Sequence, residues 1–179
     1  MAQRIIKKRY FLAVEGQSEQ SFVRWIQALA DERLSIHLDT YPLGGGGFSS
    51  MLKDAVHWHA KEAKSKGAYR QRFLIVDADR ADVQDWSLDK LRKEAAKQNF
   101  IVIVQRPNHE GLLYRMAPGK ENDVPSASMA KTKLRKFWPD YEKPVNAQAL
   151  ERHFSLADLM RVAGADPDLT VLLARIGLI

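Results

Sequence analysis

At 179 residues the chain is long enough for one domain with a sizeable core, and 45% hydrophobic with 28% charged residues is neither a disordered nor a fibrous composition. No apolar run approaches the ~20 residues that would cross a bilayer. The absence of cysteine excludes disulfides, thiolate zinc sites and cysteine nucleophiles, and fits a reducing, cytoplasmic setting. A formal charge of +6 suits a polyanionic partner such as nucleic acid, although solubility accounts for it equally well.

The chain opens MAQRIIKKRYFLAVEG, basic and then apolar. The apolar part is short and ends in Glu15-Gly16, so no signal peptide is expected. Residues 9–14 (RYFLAV) predict a strand. Phe22, Val23, Ile26 and Leu29 recur at helical spacing and predict a helix over 18–30. Residues 34–41 (LSIHLDTY) alternate as a half-buried strand does, and Pro42 and Gly44 to Gly47 break the pattern. A helix is expected over 49–66, stopped by Gly67. A strand over 73–76, a helix over 88–98 and a strand over 100–104 (FIVIV) follow. Strands that are continuously apolar and alternate with helices favour an α/β fold with a mainly parallel sheet flanked by helices.

After Pro107 the pattern changes. Residues 110–116 read as a short helix and 116–127 as a loop rich in Pro, Gly, Asn and Asp. Residues 128–179 read as helices separated by Pro139, Pro144, Gly164 and Pro167. The expected organisation is an α/β core over 1–125 with a helical C-terminal cap over 126–179 packed on it, one domain overall. Basic residues cluster in three places: Arg4 with Lys7, Lys8 and Arg9, then 61–72, then 131–143.

The acids are placed in a more telling way. Glu15 ends the first predicted strand, and Glu19 lies one helical turn on. Asp77 and Asp79 end the third strand in LIVDADR, and Glu110 follows the fourth. In a parallel sheet all of these lie at the carboxyl edge, where ligands of such sheets bind. Residues i and i+2 of an extended segment point the same way, so Asp77 and Asp79 are expected to face a common point. Like charges ~4 Å apart repel by a few kcal/mol at an effective dielectric near 20, and something must offset that. A raised pKa on one carboxyl is one answer. A hard divalent cation with oxygen ligands is the other. Singly, each acid is as well explained by a turn, a helix first-turn position or a loop cap.

These residues resemble the Toprim superfamily, which carries a glutamate after the first strand and D-x-D after a later one. More specifically, the chain resembles the RloB-like branch: E-G-x-x-E is Glu15, Gly16 and Glu19, and D-x-D is Asp77 and Asp79. The segment RPNHEGLLYRM resembles N-P-x-F-E-x-W-L-L, with Pro107, Glu110 and Leu113 in matching places. KLRKFWPDYEKP supplies a Y-x-K at Tyr141 and Lys143. Arg106, His109 and Leu112 depart from the family's asparagine, aromatic and tryptophan. The resemblance spans about residues 9 to 150. It implies a Rossmann-like Toprim core with a Mg²⁺ (or Mn²⁺) site, and a setting in restriction or phage defence beside an ATPase partner.

On that footing the expected activity is metal-dependent cleavage of DNA or RNA phosphodiesters. Glu15, Asp77 and Asp79 would hold the metal. Glu19 would support them or act as a base through water, Glu110 would ligate or position water, and Lys143 would stabilise charge on the phosphate. Arg80 suits an ion pair better than a phosphate contact. The alternative is a non-catalytic nucleic-acid or nucleotide-binding module serving the ATPase, and a homodimer is compatible with either. Four glycines in PLGGGGFSS read as a flexible loop rather than a phosphate cradle, since no G-K-[ST] follows. His57 and His59, two apart on a helix, diverge too far to share a metal, and Trp25, Trp58, Trp86 and Trp138 read as packing residues.

Overall fold

The computed structural model describes residues 7–80 and 85–179, the side chain of Arg80 excepted. Elements alternate as the hydrophobic pattern predicts: β1 (Lys8–Val14), α1 (Gln17–Asp31), β2 (Ile36–Pro42), α2 (Phe48–Lys66), β3 (Gln71–Asp77), α3 (Leu88–Lys97) and β4 (Phe100–Gln105). All three strand pairings are parallel, in the order β2-β1-β3-β4, so the fold is α/β. Pro42 ends β2 rather than standing outside it. β2 is an edge strand, where a residue with no N–H for the ladder is tolerated. Gly67 stops α2 at φ 86°, a left-handed conformation that side chains resist.

Side-chain alternation divides the core between the two faces. Tyr10, Leu12, Val14, Phe73, Ile75 and Ile103 face one cluster, and Phe11, Ala13, Leu74, Val76, Val102 and Val104 face the other. α2 and α3 cover the second face. α1 lies on the first face, together with the helices that follow β4: α4 (His109–Arg115), α5 (Ala127–Phe137), α6 (Ala147–His153), α7 (Leu156–Ala163) and α8 (Pro167–Ile176). The C-terminal helices therefore form one wall of the main core: α8 packs on β4 and α6 on α1. The chain leaves β1 toward β2 and then crosses back to β3. The carboxyl ends of β1 and β3 thus flank the point where the winding reverses, the crevice that such folds use for ligands.

One buried ion pair ties the C-terminal helices to the region after β4. Arg115 of α4 and Asp166, the N-cap of α8, are each at most 4% exposed in their side chains and meet at 2.6 Å. The guanidinium also donates to the carbonyls of Glu121 and Ala165, and Asp166 accepts the Leu169 N–H, so both charges are well bonded. Removing one partner strands the other. Arg115→Ala is expected to lower unfolding stability by about 3–5 kcal/mol in urea denaturation, and a loss under about 1 kcal/mol would mean that the pair does not anchor the cap.

Candidate active site

The site is built from the ends of β1 and β3, the start of α1, the turn into α4 and one residue of the C-terminal segment. Glu15 follows β1 directly. Its side chain accepts from the Asp77 N–H at 3.3 Å, which bridges the two strand ends. Its carbonyl accepts from Gly44 at 3.1 Å and from Gly45 at 3.2 Å. The glycine run expected to be a flexible loop is thus fastened to the site, and two of its amides are already engaged. φ values of 77° and 80° at these positions explain the choice of glycine. At the start of α2, Asp85 accepts from both the backbone and the hydroxyl of Ser49, so this helix N-terminus is capped by a carboxylate.

Asp77 is the last residue of β3 and shares the parity of Phe73 and Ile75, so it points to the face covered by α1 and the C-terminal helices. It is 8% exposed, and its Oδ1 has no hydrogen-bond partner among the described residues. Burial, then the charges of Glu19, Glu15 and Asp79, push its pKa up to about 9, against the opposing pull of Lys143. Asp79 behaves differently. Residues Ala78–Arg80 form a 3-10 turn, so the two aspartates are not i and i+2 of an extended strand, and the expectation that they point the same way for that reason fails. The turn leaves Asp79 exposed, held by Asn108 Nδ2 at 2.7 Å and by its own N–H on the Pro107 carbonyl at 2.8 Å. Both still line the same cleft, with Glu15, Glu110 and Lys143. The side chain of Arg80 lies outside the described residues.

Glu19, in the first turn of α1, is 5% exposed. Burial raises its pKa, opposed by the backbone N–H groups of Glu19 and Gly16 and by Lys143. Glu110 opens α4 and is 6% exposed, paired with Lys143 at 2.8 Å. α4 starts immediately below Pro107 because residue 111 is glycine, where any side chain would strike the proline ring. Lys143 is half-exposed. Burial lowers its pKa, but its bond to Glu110 and the charges of Glu110, Glu19 and Asp77 outweigh this and hold it above the usual lysine range. The segment carrying Lys143 is pinned by the Val145 N–H, which donates to Ser18 Oγ of α1 at 3.3 Å.

Every residue proposed from the sequence therefore borders one of two adjoining hollows at the carboxyl edge, which share Glu15, Asp77 and Lys143. Among the described residues, however, no three His, Asp or Glu side chains stand close enough to share one ion. The donor chemistry still fits a hard cation: all the acids offer oxygen, and Asp77 presents a buried oxygen with no partner among the described residues. Asn108 and Ser18 were not singled out in the sequence. Asn108 carried a readable signal, since an asparagine before a helix start is a preferred N-cap, and its side chain does accept the Gly111 N–H. Ser18 carried none. His109 is fully buried, packs edge-on against Phe22 with ring centroids 5.7 Å apart, and has its pKa lowered to about 3 by burial. It stands as a neutral aromatic in the core. Trp25 and Trp138 are buried as expected.

The sign of the Asp77 effect is testable without metal. The unfolded carboxyl ionises near 3.8, whereas the folded one keeps its proton up to about 9. Between those values the unfolded state gains charge first, so stability should fall as pH rises, by at most about 1.4 kcal/mol per pH unit. In EDTA, Asp77→Asn is expected to melt above the wild type at about pH 8 and to converge with it toward pH 4. A wild-type melting temperature that holds level or rises across this window would mean that Asp77 is ionised in the folded protein.

No family model matches the chain, and no curated protein matches it. Two solved structures are similar to it, both of the C-terminal region of the Xanthomonas campestris pv. campestris OLD protein, one phased with mercury and one with platinum. They are 18% and 19% identical to this chain, each match covers 96% of it, and the matches cover 80% and 78% of the two solved chains. The TM-score is 0.34 in both cases, a distant likeness that carries no argument about chemistry.

Proposed function

We propose that this chain is a divalent-cation-dependent nuclease of Toprim type that hydrolyses DNA or RNA phosphodiesters. The observation that carries the reading is that Glu15, Asp77 and Asp79 line one cleft at the switch point of the sheet, with one buried Asp77 oxygen left without a partner among the described residues. Glu15, Asp77 and Asp79 would hold Mg²⁺ or Mn²⁺. The bound ion would supply Lewis acidity toward a phosphate oxygen and a more acidic water. Lys143 provides the cation that the scissile phosphate needs, by exchanging Glu110 for a phosphate oxygen. Glu110, once released, positions a water, and Glu19, with its raised pKa, takes a proton through water. The resemblance of the E-G-x-x-E, D-x-D and Y-x-K segments to RloB-like proteins supports the reading and suggests restriction or phage defence beside an ATPase.

A second reading is a non-catalytic nucleic-acid-binding module that works with such a partner. It is favoured by the spacing of the carboxylates, none of which form a ready three-ligand set among the described residues. Incubation with plasmid, single-stranded DNA and RNA in Mg²⁺, Mn²⁺ or EDTA separates the two. Cleavage that needs metal is expected, with none above background for Asp77→Ala and a rate about 10²–10³-fold lower for Lys143→Met. Metal-dependent cleavage unchanged in Asp77→Ala would refute the site, and no cleavage of any substrate would favour the binding module.

A further inference from the structure

Among the described residues the cleft holds five carboxyl groups, from Glu15, Glu19, Asp77, Asp79 and Glu110, against two ammonium groups: Lys143, already paired with Glu110, and Lys131 at the rim. Such a surface repels a phosphate strand, so the attraction that seats one must come from cations at its border. Among the described residues, the fold brings only the third of the basic clusters to that border. Lys8 and Arg9 start β1, and the stretch 61–72 closes α2 and opens β3, at the opposite edge of the sheet. The two meet each other: Arg9 Nη1 donates to the Lys66 carbonyl at 2.6 Å, and the Arg70 N–H donates to the Arg9 carbonyl at 2.8 Å. Buried Asp39 there pairs with both Arg9 and Lys66. The seven residues of β3 put ~20 Å between that edge and Asp77.

The third cluster lies on α5. This helix starts at the cleft, where Ala127 and Lys131 line the wall that carries Asp77, Asp79 and Glu110. Lys131 and Arg135, four residues apart, share one helix face at ~6 Å along the axis, with Lys136 beside them. All three are exposed, and none has an ion-pair partner among the described residues. Lys133 is different, since it is paired with Asp123 at 3.0 Å. Arg135 Nε donates to the Tyr141 carbonyl at 3.2 Å, which fixes the side chain two residues from the site lysine.

We infer that the face of α5 bearing Lys131 and Arg135 is the docking track for a nucleic-acid strand, which it leads by its phosphates into the acidic cleft. This rests on the nucleic-acid reading of that cleft. Contact is through phosphates, so it is insensitive to sequence and sensitive to salt.

Binding is read by anisotropy of a labelled single strand and of its duplex, in EDTA so that nothing is cut. Lys131→Glu with Arg135→Glu is compared with Lys64→Glu with Arg70→Glu, which changes formal charge equally at the far edge. The α5 pair is expected to weaken single-strand binding at least about tenfold and to flatten the slope of log affinity against log salt by about 1.4, the share of two neutralised phosphates. The far-edge pair is expected to leave both within about twofold. Equal losses in the two variants would reduce the effect to net charge, and a larger far-edge loss would move the track to the other side; either overturns the inference, as does a wild type that binds no strand. Binding lost only in the α5 variant, by a wild type that never cuts, would uphold the track and refute the nuclease.

Discussion

The arrangement depends on one electrostatic conflict: a carboxyl group buried at the end of a central strand, with other carboxyl groups around it. The apolar core that makes β3 a good strand continues up to Val76, so Asp77 inherits a low-dielectric position. Desolvation is the largest cause of its raised pKa, and the neighbouring charges add to it. Lys143 is the main opposing charge within the protein, and it is only half-buried. Among the described residues one buried oxygen of Asp77 is left without a hydrogen-bond partner, and that oxygen is the physical basis for the proposed cation site.

The same conflict explains why the C-terminal helices belong to the site as well as to the core. Lys143 comes from the segment between α5 and α6, far from the strands in sequence. It is brought in by packing: α6 lies on α1, the Val145 N–H meets Ser18, and the Arg115–Asp166 pair fixes α8 against the region after β4. An isolated core ending near residue 125 would present the acids without their ammonium. The Arg115–Asp166 anchor is buried and fully bonded, whereas Asp77 in the cleft keeps a buried oxygen without a hydrogen-bond partner among the described residues.

The two edges of the sheet handle charge in opposite ways. Near the amino edge, one buried aspartate, Asp39, is neutralised by Arg9 and Lys66. At the carboxyl edge the acids outnumber the lysines that line the cleft, Lys143 and Lys131, and Lys131, Arg135 and Lys136 of α5 have no ion-pair partner among the described residues. The first is an ordinary structural cluster. The second keeps negative and positive surface apart, an arrangement suited to a cation in the cleft and an anionic strand along its rim.

The sequence by itself determined the α/β alternation, the parallel sheet and the gathering of Glu15, Asp77 and Glu110 at one edge. Apolar periodicity reports burial, and a parallel sheet sends every strand end to the same side. It also marked Lys143, through its resemblance to a Y-x-K segment. Only the tertiary structure decided that Asp77 is buried while Asp79 is exposed, because the 3-10 turn after β3 overrides strand alternation at the last step. Only it decided that the glycine loop is tied to the Glu15 carbonyl, that Ser18 holds the Lys143 segment, and that α5 rather than the 61–72 cluster borders the acids. Each of these depends on a contact between residues distant in the chain, and local pattern records burial and backbone preference but not which distant residue arrives.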